Sequence, residues 1–149
     1  MATRAPASLV LIPLVALALG ACSSDEGEEG TTTETATNAD VNATLADFSI
    51  SLDPGSATAG DVTFGISNDG PSTHEFVVFQ TDLAPDTLPV EDGLVPEDDP
   101  ALTLAGEAED ISSGSQESLT LTLDAGSYVV ICNIASHYES GMRAALTVS

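Results

Sequence analysis

The sequence predicts an all-β protein, a β-sandwich of about six to eight strands, on three observations. Short apolar runs of period two recur between Gly- and Pro-containing turns. No stretch sustains a helical period. So many short strands within residues 41–149 suit two packed sheets with polar outer faces.

Each element has its own reason. Phe48, Ile50 and Leu52 mark a strand that ends at the turn Asp53-Pro54-Gly55, and Val62, Phe64 and Ile66 mark the next, closed by Asn68-Asp69-Gly70-Pro71. From His74 to Thr81 the run Phe76-Val77-Val78-Phe79 is continuously apolar, as in a strand covered on both faces or near a sheet centre. Residues 82–101 carry Pro85, Pro89, Pro96 and Pro100 and admit at most a short helical turn, so a lid-like excursion on the sandwich edge is expected there. Ile111 belongs to a further strand around Glu107. Leu119, Leu121 and Leu123 alternate with Ser and Thr before Asp124-Ala125-Gly126 turns the chain. Tyr128 to Cys132 is a second continuous run, and Arg143 to Ser149 closes the fold with Leu146 and Val148.

The 149 residues suffice for one core and its appendages. Acidic residues number 24 against two basic ones, Arg4 and Arg143, for a formal charge of −22. Such a surface repels phosphate backbones, which excludes nucleic acid as a partner. A hydrophobic share of 42% separates the chain from acidic disordered polymers. With four Phe, two Tyr and no Trp, the core must be built mainly from Val, Leu, Ile and Ala.

Residues 1–22 read as a secretory signal. Arg4 supplies its positive start, and the apolar run Leu9–Leu19 is too short to span a bilayer, which takes roughly 20 residues. Leu19-Gly20-Ala21-Cys22 resembles a bacterial lipobox, which implies acylation at Cys22 and anchoring to the membrane. Residues 23–40, rich in Ser, Asp, Glu, Gly and Thr, are expected to form a disordered acidic tether. The folded domain is then 41–149. With Cys22 lipidated, Cys132 is left without a disulfide partner in an oxidising compartment.

Four soft or imidazole side chains remain in that domain: His74, Cys132, His137 and Met142. Singly, each has a plainer reading as a core or surface residue. Jointly, a thiolate, two imidazoles and a thioether are the donor set of a mononuclear blue-copper site. Cys132 ends one strand, His137 sits in the following loop and Met142 begins the last strand, while His74 opens a neighbouring strand. One end of a sandwich can therefore gather all four.

The stretch Cys132 to Met142 resembles the C-x4-H-x4-M copper loop of cupredoxins, the plastocyanin and azurin superfamily. Asn68 to Val78 is similar to their first-histidine strand, and the loop length is closest to sulfocyanin and rusticyanin-like members. The resemblance implies a Greek-key sandwich holding one type 1 copper, with His74, Cys132 and His137 equatorial and Met142 axial. Two departures stand out. Ser136 replaces a glycine common before the loop histidine, so the backbone there is expected to avoid a glycine-only conformation. Glu75 and Asn133 replace the usual Asn after the first histidine and Ser or Thr after the cysteine. Their side chains are expected to hydrogen-bond each other behind the ligands.

Among other residues, Glu91, Asp92, Glu97, Asp98 and Asp99 are expected to form a solvated acidic loop rather than a calcium site. Tyr128 is expected to pack within its strand, and Arg143 to pair with a carboxylate such as Glu139. The functional expectation is an extracytoplasmic, lipid-anchored, monomeric carrier of single electrons, exchanging them with a basic redox protein. An enzyme is not expected, since both histidines are committed and no triad or second copper centre can be assembled. Copper storage or delivery, and a metal-free surface-anchored binding module, are the alternatives.

Overall fold

A computed structural model describes residues 38–149. The signal segment, Cys22 and nearly all of the tether lie outside the described residues. Among the described residues nine strands form: β1 (Val41–Ala46), β2 (Ser49–Asp53), β3 (Ser56–Ala57), β4 (Gly60–Asn68), β5 (His74–Gln80), β6 (Thr103–Ile111), β7 (Gln116–Leu123), β8 (Gly126–Ile131) and β9 (Arg143–Val148). They make two mixed sheets, β2-β1-β4-β7 and β3-β9-β8-β5-β6. The chain changes sheet at β2–β3, β3–β4, β4–β5, β6–β7 and β7–β8, while β1–β2, β5–β6 and β8–β9 pair within one sheet. The all-β sandwich is as expected, with two strands more than the alternation disclosed. β1 lies between β2 and β4, antiparallel to one and parallel to the other. β3 is a two-residue strand parallel to β9, too short to carry a period.

Val41, Ala43, Leu45, Val62, Phe64, Ile66, Phe76, Val78, Val130 and Leu146 meet between the sheets. Their alternation along each strand places one face in the core and leaves the other polar. Strand β5 departs from this for a visible reason. Phe76 and Val78 point into the inter-sheet core, whereas Val77 and Phe79 point outward into a second cluster with Leu88, Val95, Leu102, Val129, Ile131 and Tyr138. The segment between β5 and β6 supplies Leu88, Val95 and Leu102. It is therefore a strap over the outer face of the five-stranded sheet rather than an excursion on its edge. Each of those side chains contributes about 1.5–3 kcal/mol by leaving water, which holds the strap down without regular structure.

Phe48, expected inside a strand, instead forms the tip of the β1–β2 hairpin with Asp47. Pairing of Ala46 with Ser49 leaves only two residues for the turn. Phe48 adopts φ 70°, as a tight hairpin demands of a turn residue, and is 65% exposed.

Candidate metal centre

Three segments converge at one end of the sandwich. Cys132 follows the last residue of β8, and its N–H donates to Met142 O at 3.1 Å. Met142 in turn donates its N–H to His137 O at 3.1 Å. The intervening loop is wound by His137 N–H to Ile134 O (2.9 Å), Ser140 N–H to Ser136 O (3.0 Å) and Gly141 N–H to Tyr138 O (3.1 Å). Met142 immediately precedes β9, so the loop returns its ligand to the position from which it left. His74 opens β5 opposite Ile111, and the register slips between His74 and Phe76. A bulge of this kind re-aims a side chain.

Candidate ligand atoms of His74, Cys132 and His137 all lie within 4.8 Å of one another. Cys132 Sγ is 3.4 Å from His137 Nδ1 and 3.8 Å from His74 Nδ1. His74 and Cys132 are 0% exposed and Met142 1%, while His137 is half-buried. His137 and Met142 line a small cavity with Asp47, Phe48 and Ser72, of about 110 Å³. The ring centroids of the two histidines stand 5.3 Å apart. Neither imidazole Nδ1 has a neighbour among the described residues that satisfies it other than the cysteine sulfur. A buried imidazole aimed at a thiol rather than at an oxygen is costly unless a metal takes the lone pairs. The donor set therefore fits a soft metal with imidazole affinity.

Electrostatics at the site follow from burial. Removal from water pushes the Cys132 thiol up, against the opposing effect of N–H groups from Glu75 and Ile134 directed at the sulfur; the Glu75 N–H lies 3.3 Å from Sγ. Those two donors stabilise a thiolate that a metal would claim. Burial also lowers His74, helped by His137 and opposed by Asp47. Asp47 Oδ1 lies 3.2 Å from His74 Nε2, a close polar contact that does not meet hydrogen-bond geometry. Nothing in the sequence singled out Asp47, one carboxylate among 24 acidic residues.

All four expected ligands thus gather at one end, but their supporting contacts differ from expectation. Asn133 does not reach Glu75. Its Oδ1 accepts from Val95 N–H at 2.8 Å, and its Nδ2 donates to Val95 O at 3.0 Å and Glu97 Oε1 at 3.1 Å. The strap, invisible to a comparison of the two ligand segments, occupies the partner's place. Glu75 serves through its backbone N–H instead. Ser136 does not avoid the glycine-favouring region: its φ is 67°, held by its N–H on Gly93 O at 2.7 Å and by Ser140 donating to its carbonyl. Arg143 forms no ion pair with Glu139. Its Nη1 donates to Tyr138 O at 2.8 Å, and its guanidinium sits 5.4 Å from the Tyr138 ring centre. Tyr138 is buried and accepts Leu88 N–H at 2.9 Å. The acidic residues 91–99 form no metal cluster among the described residues.

A two-sheet sandwich with Cys, two His and Met converging at one end defines the cupredoxin class. The family model of the sulfocyanin (SoxE) domain matches residues 55–149, and the chain belongs to that family. No curated protein sequence matches it. Among solved structures, reduced auracyanin from the photosynthetic bacterium Roseiflexus castenholzii is similar at 20% identity, covering 75% of this chain and 99% of that one with a TM-score of 0.51. Rusticyanin from Thiobacillus ferrooxidans is similar at 17% identity, covering 72% of this chain and 76% of that one with a TM-score of 0.52. These likenesses bear on the fold, and the family supplies the metal: His74, Cys132, His137 and Met142 form a type 1 copper site.

Proposed function

We infer that the protein is a single-electron carrier, anchored outside the cytoplasm by a lipid on Cys22. The observation that carries this reading is the convergence of His74, Cys132 and His137 in a site where only His137 reaches towards solvent. Copper held there supplies a one-electron Cu(I)/Cu(II) couple. The side chains do the rest. His74, Cys132 and His137 would serve as the strong donors and Met142 as the weak one, on backbone tied by hydrogen bonds, so little rearrangement would accompany a change of charge. Burial of His74, Cys132 and Met142 keeps bulk water from the site, and the half-exposed His137 edge offers the short route to a partner. Closed burial also favours retention over the open, exchanging ligands that copper delivery requires.

With a net charge of −22, association with a basic redox protein would be fast at low ionic strength and slowed by salt. The test is the visible absorption and EPR spectrum of the full chain after adding Cu(II). The expected result is an intense thiolate-to-copper band with narrow parallel hyperfine splitting, lost in Cys132→Ser. A colourless protein or an ordinary tetragonal copper spectrum would refute the carrier. Rapid loss of copper to a chelator would favour delivery instead.

A further inference from the structure

Asp47 stands behind His74, on the side of the ring away from the other ligands. Its Oδ1 is 3.2 Å from Nε2, while Nδ1 faces Cys132 Sγ. Both Oδ1 and Nε2 are buried, and neither has a hydrogen-bond partner elsewhere among the described residues. The carboxylate is steadied from its other oxygen, where Ser72 Oγ donates to Oδ2 at 3.2 Å. Gly70 lies against both atoms. A Cβ at that position would come within 3.0 Å of His74 Nε2 and 3.1 Å of Asp47 Oδ1, so no side chain from residue 70 can come between them. Carboxylates placed behind metal-binding imidazoles fix the tautomer and raise ligand basicity.

We propose that Asp47 is a positioning residue of the copper site, holding His74 as its Nε2–H tautomer and favouring Cu(II) over Cu(I) through its negative charge. This rests on the copper reading given above. An ionised carboxylate only accepts, so the neighbouring nitrogen must carry the proton, which leaves the Nδ1 lone pair free for the metal. The anion sits in a partly buried place where charges are screened less than in water. It stabilises the more positive oxidation state and so lowers the reduction potential.

The test compares the full chain with Asp47→Asn, which keeps the volume and an acceptor oxygen but loses the charge, and Asp47→Leu, which loses both. Nitrogen-15 NMR of the imidazoles in the metal-free protein reads the tautomer. Voltammetry of the copper-loaded protein reads the potential. The expected tautomer is Nε2–H in the wild type and in Asp47→Asn, and a mixture in Asp47→Leu. Both variants should raise the Cu(I)/Cu(II) ratio at a fixed applied potential roughly tenfold, which is about 59 mV for a one-electron couple. An unchanged potential in Asp47→Asn with its thiolate band intact overturns the electrostatic role, and an Nδ1–H tautomer in the wild type overturns the positioning role. A wild type without a thiolate-to-copper band overturns the copper reading and the electrostatic role with it, while the NMR spectrum still decides the tautomer.

Discussion

Asn133 pairs with the backbone of Val95 much as one strand residue pairs with another, its amide oxygen taking the Val95 N–H at 2.8 Å and its amide nitrogen giving to the Val95 carbonyl at 3.0 Å. Leu88 N–H on Tyr138 Oη and Ser136 N–H on Gly93 O add two more ties. The loop that carries Cys132, His137 and Met142 is thereby sewn to the strap between β5 and β6. Shape at the metal end depends on a segment some forty residues away in sequence.

Replacing Asn133 with Ala leaves both backbone groups of Val95 without their partner, at a cost of about 1–3 kcal/mol. The expected outcome is a lower denaturation midpoint with an unchanged denaturant slope. Copper should pass faster to a chelator, while the thiolate band keeps its intensity because no ligand is lost. Unchanged stability and unchanged copper release would mean that the strap does not support the loop.

The four ligands were legible because the domain holds so few soft side chains, and because the spacing from Cys132 to Met142 fits one strand–loop–strand corner. Their supports were not. Asn133 could be seen to depart from a familiar pattern, but its partner Val95 lies in a proline-rich segment whose path no periodicity reveals. Asp47 was hidden by the abundance of acidic residues around it. Strands β4, β5, β7, β8 and β9 were readable from alternation or from continuous apolar runs. The alternation of Val41, Ala43 and Leu45 was present in the sequence, yet weak because alanine contributes little to it and the polar tether runs directly into it. Phe48 misled for the opposite reason: an apolar residue in step with Ile50 and Leu52 was spent on a hairpin tip.

Gly141 links that tip to the site. Its φ is +121°, and a Cβ there would lie 2.6 Å from the Phe48 carbonyl oxygen. Both the backbone conformation and the contact exclude a side chain. Gly141→Ala should cost about 1–3 kcal/mol and disturb the adjacent Met142, seen as a shifted visible spectrum of the copper protein. Gly55→Ala is the control, since nothing lies within 4 Å of its Cβ position, and thermal unfolding should move little. Equal effects in the two variants would rule out the contact with Phe48 as the cause.

Ser136 invites the reverse substitution. A left-handed backbone costs a residue with a Cβ about 1–2 kcal/mol, whereas glycine adds about 0.5–1 kcal/mol of unfolded-state entropy to be lost on folding. The difference predicts that Ser136→Gly is neutral or stabilises by up to about 1.5 kcal/mol. Ser136→Val should destabilise, because β-branching makes the same conformation harder to reach. Denaturation midpoints of the two variants check this, and a destabilised Ser136→Gly would show that the serine side chain itself supports the loop.

The acidic face around β5 and β6 gives a pH dependence of definite sign. Burial first, then Glu97 and Glu109, hold the Glu107 carboxyl above its ordinary value. Glu75 is raised by burial and then by Glu109, Glu107, Glu97 and Asp110. Each folded carboxyl keeps its proton at a higher pH than the unfolded chain does, so folding takes up protons in this range. From these two groups, stability therefore grows as the pH falls from neutral towards 4.5, the ordinary glutamate value, and is lost again as it rises through the raised folded values. Glu107→Gln removes one member of the cluster. It should stabilise the domain at pH 7 by a few tenths of a kcal/mol, as expected when like charges are separated, and flatten the pH profile. Added salt should shrink the gain by screening the same repulsion. Urea midpoints of wild type and Glu107→Gln between pH 5 and 8 measure both effects, and parallel profiles for the two proteins would remove Glu107 as a source of the dependence.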